Sequence, residues 1–164
     1  MDVIYIISQI FVIMQYSFII ATYQVKTKKQ IIIFNTISAI SAIISFLCLG
    51  AYSGCMMSFV SIFRNILFFK MKDKDKIKLI IVLTLLLTLT IVTYNGLLSL
   101  MPAIGTLLYT LSVWQKDTKT YKKYGIFIEL SWFIYFIYVK SLFGIILESI
   151  SLISVIIGLK REEK

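Results

Sequence analysis

Histidine is absent from this 164-residue sequence. With it go the commonest general base, the commonest metal ligand and the usual protonation switch near neutral pH. Charge is scarce as well: Asp, Glu, Lys and Arg make up 15% of the chain, against about a quarter in an ordinary soluble domain. A single proline, Pro102, and seven glycines leave little material for a loop-rich protein. The two cysteines, Cys48 and Cys55, stand in neither a CxxC pattern nor a basic setting that would activate a thiol. They read as apolar fillers, with a disulfide as the other reading. No nucleophile has a base near it, so the sequence points away from an enzyme and calls for no metal and no cofactor.

What is present is apolar surface. Hydrophobic residues make up 59% of the chain and the mean hydropathy is +0.91, more than a soluble protein of this size could bury. The apolar stretches are too continuous for the alternating strands of an outer-membrane barrel, which leaves helices. A hydrocarbon core about 30 Å thick needs about 20 helical residues. Seven runs approach that length, at residues 4–23, 31–49, 51–69, 77–94, 96–114, 124–139 and 141–159. The sixth is short and carries Glu129. The start, Met1-Asp2-Val3-Ile4, has no basic n-region and no small-residue cleavage site, so the first run is expected to be a retained helix.

The net charge of +9 is distributed in clusters between the runs. Lys26, Lys28 and Lys29 follow the first run; Lys70, Lys72, Lys74, Lys76 and Lys78 follow the third; Lys116, Lys119, Lys122 and Lys123 follow the fifth; Lys160, Arg161 and Lys164 close the chain. The connections between hold only Lys140. Basic loops on alternate connections anchor one face beside anionic headgroups, so the partner of this charge is the lipid bilayer and not nucleic acid. The same asymmetry places the N-terminus outside and the C-terminus in the cytoplasm. Tyr23, Tyr52, Tyr94, Trp114, Tyr124 and Tyr138, near run ends, suit interfacial aromatic belts.

A shift of 90 positions lays the first three runs on the last three without a gap. Lys26, Lys29 and Lys70 fall on Lys116, Lys119 and Lys160, while Gly54 and Ser61 fall on Gly144 and Ser151. The expected fold is therefore an all-α transmembrane bundle of seven helices in one domain. Two parallel three-helix repeats, residues 3–70 and 96–160, are joined by an inverting helix at 77–94, a 3+1+3 plan with the substrate between the halves.

Small or polar stripes mark the third helix of each half. They read Ala51, Gly54, Ser58, Ser61, Asn65 and Ser141, Gly144, Glu148, Ser151, Val155. Lipid offers nothing to a polar group, so these stripes face other helices or a wet cavity, and tight packing and a solute pathway are both open readings. Three ionisable residues fall inside spans. Arg64 lies about 9 Å along a helix from Lys70, within snorkelling reach of the interface. Glu129 lies at a similar depth on the same side, where an ion pair with Arg64 would staple or gate the inner end. Glu148 lies roughly 18 Å from Lys160, near the midplane, as a binding carboxylate or a packing residue. Trp132, three residues after Glu129, would give an aromatic wall. Pro102 would free the carbonyl of Leu98 and let the fifth helix bend.

The stretch 100–161, with Met101-Pro102-Ala103-Ile104-Gly105, Trp114-Gln115-Lys116-Asp117, Ser131-Trp132-Phe133-Ile134-Tyr135 and Gly144-Ile145-Ile146-Leu147-Glu148, together with Arg64-Asn65, resembles the YgjV-type bacterial inner-membrane proteins. The helix plan is also similar to that of the SWEET and PQ-loop transporters, and more distantly to the PnuC-type vitamin transporters. The Pro-Gln pair of the PQ-loop group is missing, with Val12-Ile13 and Pro102-Ala103 in its place. The YgjV-type resemblance by itself implies no activity; the polar stripes and the helix plan together lead to the expectation of a small-solute carrier of the bacterial inner membrane for a sugar, nucleoside or vitamin-like molecule. Its two halves would rock about Ser58, Ser61, Asn65, Trp132, Glu148 and Ser151, with Arg64, Glu129 and Pro102 in gating. A homo-oligomer is compatible with this. The alternative is a non-transporting membrane subunit or scaffold that docks a partner protein.

Overall fold

The computed structural model describes residues 3–71, 75–115 and 118–162. Met1, Asp2, Lys72, Lys74, Lys116, Asp117 and Lys164, which enter the sequence reading, lie outside the described residues. Seven α-helices and no strand are present among those described: α1 (Val3–Gln24), α2 (Lys28–Cys48), α3 (Tyr52–Phe69), α4 (Lys76–Val92), α5 (Met101–Trp114), α6 (Thr118–Tyr138) and α7 (Leu142–Glu162). A 3₁₀ turn, Leu97–Leu100, leads into α5. Five helical stretches are long and apolar enough to cross a membrane: Val3–Gln24, Lys28–Cys48, Tyr52–Phe69, Leu97–Trp114 and Leu142–Arg161. The other two helices differ for separate reasons. α4 has 17 residues, which reach about 26 Å. α6 carries Lys119, Lys122, Lys123 and Glu129 within its length.

Each helix finds its neighbours through its apolar face. α1 packs between α2 and α7, α2 against α3, α3 against α5, α5 against α6, and α6 against α7, which closes a ring of six. α4 stays outside this ring, against α3 and more lightly against α5, with only Val82 and Leu86 of its residues buried. Asp75 caps α4 by accepting the N–H of Ile77 at 3.0 Å and of Lys78 at 3.1 Å. The Lys78 N–H, with the Lys78 ammonium and the Ile77 N–H behind it, holds the Asp75 carboxyl below its ordinary value.

Among the described residues, the lysines and arginines other than Lys140 and the buried Arg64 gather at one end of the bundle. There Arg161 donates to Gln24 at 2.6 Å, and Lys28 and Lys29 of α2 approach the rings of Phe68 and Phe69 at the end of α3, at 5.9 and 5.4 Å. At the opposite end, Tyr5 donates to the carbonyl of Lys140 at 3.4 Å and Ser141 donates to Gln9 at 3.2 Å.

A shift of 90 residues recurs in the backbone itself. α2 and α6 coincide at both ends under it, 28 with 118 and 48 with 138, and α3 and α7 start at 52 and 142. The turns between them are the same turn. Gly50 and Lys140 both adopt the left-handed conformation, with φ of +65° and +55°. The N–H of Ala51 reaches the carbonyl of Phe46 at 2.9 Å, and that of Ser141 reaches Phe136 at 3.1 Å, the six-residue closure of a Schellman cap.

Three sequence expectations change. α6 begins at Thr118, six residues before the apolar run at 124, so Lys119, Lys122 and Lys123 lie on a helix instead of in a loop, and Lys122 is buried. Lysine is a good helix former, and an apolar-run criterion misses helix that continues beyond the hydrocarbon. Pro102 is not a mid-helix hinge. It occupies the first turn of α5, where a missing N–H costs nothing, and the carbonyl of Leu98 accepts the N–H of Met101. Tyr23 is not a belt residue either, since it is buried, whereas Tyr52, Tyr94 and Tyr138 are exposed. The cysteines are free thiols, Cys55 buried and Cys48 partly so.

Candidate functional site

The helix stripes of α3 and α7 point into the ring. Ala51, Gly54, Ser58 and Asn65 of one and Ser141, Gly144, Glu148, Ser151 and Val155 of the other are buried, with Ser61 intermediate. Their upper glycines serve packing. A Cβ on Gly54 would run into the ring of Tyr135 and meet Phe46, and one on Gly144 would run into Phe136. Phe46 and Phe136 are themselves 90 residues apart and stack on each other, with centroids 5.5 Å apart. Lower down, the same stripes line a cavity of about 50 Å³ together with residues of α1, α2, α5 and α6.

Glu148 is the most enclosed carboxylate in that lining, at 0% exposure. Tyr16 of α1 donates to its Oε2, while Oε1 has no partner. Glu129 of α6 is buried as well and accepts from Tyr23. Ser151 lies beside the Glu129 carboxylate without an aligned hydrogen bond. Ser58 donates to the carbonyl of Gly54 at 2.9 Å. Trp132 sits where Gly105 leaves room, its Nε1 2.8 Å from where a Cβ would stand, and stacks on Phe46 at 5.8 Å.

Of the residues singled out from sequence, Ser58, Ser61, Glu129, Trp132 and Glu148 line this one cavity, and Asn65, Ser151, Arg64 and Pro102 do not. Arg64 neither snorkels nor pairs with Glu129. It is fully buried; Nη2 donates to Asn35 at 2.8 Å and to Asn65 at 2.9 Å, Nη1 to Thr110 at 3.5 Å, and the guanidinium lies 4.1 Å from the centroid of Tyr109. Amide oxygens and a ring face thus replace water around the charge, as burial demands. Asn65 extends the cluster to Asn35 at 2.9 Å and Thr36 at 3.0 Å. Below the cavity, Tyr23 stacks on Tyr121 at 5.4 Å, and Tyr121 shares a 2.7 Å hydrogen bond with Thr22.

Above the cavity stands an aromatic layer. Phe46 contacts Trp132, Tyr135 and Phe136, and the Tyr135 hydroxyl bonds Ser53 at 2.7 Å and the N–H of Gly54 at 3.0 Å. Beyond it lies a vestibule of about 580 Å³, which shares no lining residue with the inner cavity. Trp132 faces the cavity and Tyr135 the vestibule, so the layer separates the two.

Sequence reasoning missed Gln15, Tyr16, Asn35, Thr106 and Tyr109, all of which line the cavity. For Tyr16, Thr106 and Tyr109 the 90-residue shift contains the signal that could have found them; Gln15 and Asn35 fall on Gly105 and Gly125, which lie outside the lining. The shift pairs Tyr16 with Thr106, Ile19 with Tyr109, Ser38 with Ile128, Ala39 with Glu129, Ala42 with Trp132 and Ser58 with Glu148, and both members of each of these pairs line the cavity. Among the described residues, no group of three His, Cys, Asp or Glu is placed to hold a metal ion.

A ring of apolar helices around a small polar cavity, with basic residues at one end, defines a helical membrane protein. The chain belongs to the Imp-YgjV family, described as bacterial inner membrane protein, whose family model matches residues 6–164. No curated protein and no solved structure matches it.

Proposed function

We propose that this inner-membrane protein is a small-solute carrier in which residues 3–70 and 96–160 form two parallel repeats, joined by α4 as an inverting helix, that rock about the central cavity. The observation that carries this reading is the pairing of cavity residues across the 90-residue shift. A site lined by matching positions of two like units sits on the axis relating them, where alternating access requires it. The helix bounds, the twin turns and the cyclic packing support the same plan. All seven helices then cross, with the N-terminus outside and the basic end in the cytoplasm, as the lysine asymmetry demands. α4 reaches far enough for a slightly thinned bilayer, and α6 crosses with its lysines at the inner interface.

The cavity of about 50 Å³ is far below the roughly 300 Å³ of an ordinary small-molecule site. A sugar, nucleoside or vitamin would therefore require the halves to part. Vesicle uptake of a panel of these solutes tests the reading. At least one should accumulate faster than in empty vesicles, and Glu148→Gln should reduce that uptake; indifference to the mutation across the panel would exclude the site. A second reading, a subunit that docks a partner protein, draws on α4, whose exposed Ile77, Ile80, Leu87 and Ile91 lie outside the ring. A stoichiometric partner retained in mild detergent would favour it.

A further inference from the structure

Four buried oxygen atoms of the cavity lining have no hydrogen-bond partner: the hydroxyl of Tyr109, whose ring packs on Arg64, and three on non-aromatic side chains, Oε1 of Glu148, Oε1 of Gln15 and Oγ1 of Thr106. Those last three side chains are more than nine-tenths buried. Two of these atoms can only accept from a ligand, and the third can accept or donate. Orphaned buried acceptors are rare, because each forfeits its hydrogen bonds to water without replacement. Three around one cavity describe a receptor for something that donates or is positively charged.

The rest of the lining has the same sign. It includes two carboxylates, Glu129 and Glu148, and no lysine or arginine. Glu129 has Tyr23 and Ser151 beside it, and the nearby cation, Arg64, is committed to Asn35, Asn65, Thr110 and the Tyr109 ring. Glu148 alone keeps an oxygen with nothing to face. Oxygen donors suit hard cations. Calcium would take six to eight such ligands and magnesium a near-ideal octahedron, more than one free carboxylate oxygen, one amide and one hydroxyl supply. About 50 Å³ holds one small ion and a water or two.

We infer that this cavity binds a small monovalent cation, of sodium or ammonium size, through Glu148, Gln15 and Thr106. The inference rests on the reading of the cavity as the solute site and names the class of ion that it takes, as cargo or as coupling ion. Gln15 comes from α1 in the first half, and Thr106 and Glu148 from α5 and α7 in the second. A bound cation therefore ties the halves together. Sodium would use the three oxygens; ammonium would in addition meet the aromatic side chains of Tyr16 and Trp132, which also line the cavity.

The test is equilibrium thermal unfolding of the full chain in mild detergent, at fixed pH and ionic strength, in the chlorides of lithium, sodium, potassium, ammonium and choline. Choline is too large for the cavity and serves as the reference. At least one small cation should raise the unfolding temperature saturably above choline, and the preferred one separates the alkali-ion source from the ammonium source. Gln15→Leu, which leaves both carboxylates in place, should weaken the half-saturating concentration roughly tenfold, the loss of one polar contact. Glu148→Gln should abolish the shift while leaving a folded protein in choline. Equal unfolding of the wild type in all five salts overturns the inference, as does a shift that survives both substitutions. When the series is repeated at other pH values, unfolding in choline that follows pH, with no difference among cations at any pH, overturns it in favour of a proton. Because no transport is measured, a cation shift without solute uptake sinks the carrier and spares the ion site, and uptake without a cation shift does the reverse.

Discussion

Tyr16 reaches from α1 to Glu148 on α7 and gives that carboxylate a hydrogen bond inside a fully buried cluster. Tyr16→Phe keeps the ring and its edge contact with Phe136 but removes the donor, which leaves both carboxylate oxygens without a protein partner. Leaving a buried acceptor unsatisfied costs about 1–3 kcal/mol, so unfolding in detergent should show a loss of that order. Tyr5→Phe, which breaks long hydrogen bonds of 3.4 Å at the bundle end, should cost far less; equal losses would mean that the contact with Glu148 carries no weight. At this scale the sequence was legible where chemistry conflicts with lipid. Glu129 and Glu148 stand out because a carboxylate inside an apolar run needs a reason, and both line the cavity. Tyr16, Gln15 and Thr106 do not stand out, because tyrosine, glutamine and threonine cost little in a span and are placed by partners that no linear pattern displays.

Gly50 and Lys140 occupy the same position in twin turns, both in the left-handed region. Glycine adopts that conformation freely, and a side chain pays roughly 1–2 kcal/mol for it. A Cβ on Gly50 meets nothing within 4 Å, so backbone strain is isolated there from packing. Gly50→Ala should therefore destabilise by about 1 kcal/mol, and Lys140→Gly should exceed Lys140→Ala in stability by a similar amount, the alanine variant removing the charge while keeping the strain. Thermal or denaturant unfolding of the three variants beside the wild type checks both turns at once; a penalty at one turn and none at its twin would break the equivalence. Element bounds were legible to within about three residues where an apolar run coincides with a helix. They failed at α6, whose first turns are basic, and at α5, where Pro102 starts the helix instead of bending it. In both places, local helix chemistry and membrane depth are different quantities, and hydropathy reports only the second.

The ring of six helices holds together through Tyr135 at the end opposite the lysine clusters. Its hydroxyl joins α6 to α3 at Ser53 and Gly54, directly over Trp132 and the cavity. In the proposed carrier, parting the halves on this side would mean breaking those two hydrogen bonds and unstacking Phe46. The ring of Tyr135→Phe would keep its contacts with Phe46 and Trp132 while losing both hydrogen bonds. Each is worth about 1 kcal/mol net, so losing both should raise the open population roughly thirtyfold. Accessibility of Ser58, at the cavity wall below the layer, reads that population. In the proposed orientation, and in a background with Cys48 and Cys55 replaced by alanine, Ser58→Cys should react with an impermeant thiol reagent from outside roughly thirtyfold faster when Tyr135→Phe is added. Its reaction with reagent trapped inside should not accelerate, because the closure toward the basic end is built from Arg64, Asn35, Tyr109 and Tyr121, none of which touches Tyr135. Unchanged labelling from outside would show that the aromatic layer is fixed packing; acceleration from both sides would mean that the variant loosens the bundle as a whole; one-sided acceleration is the behaviour of a gate.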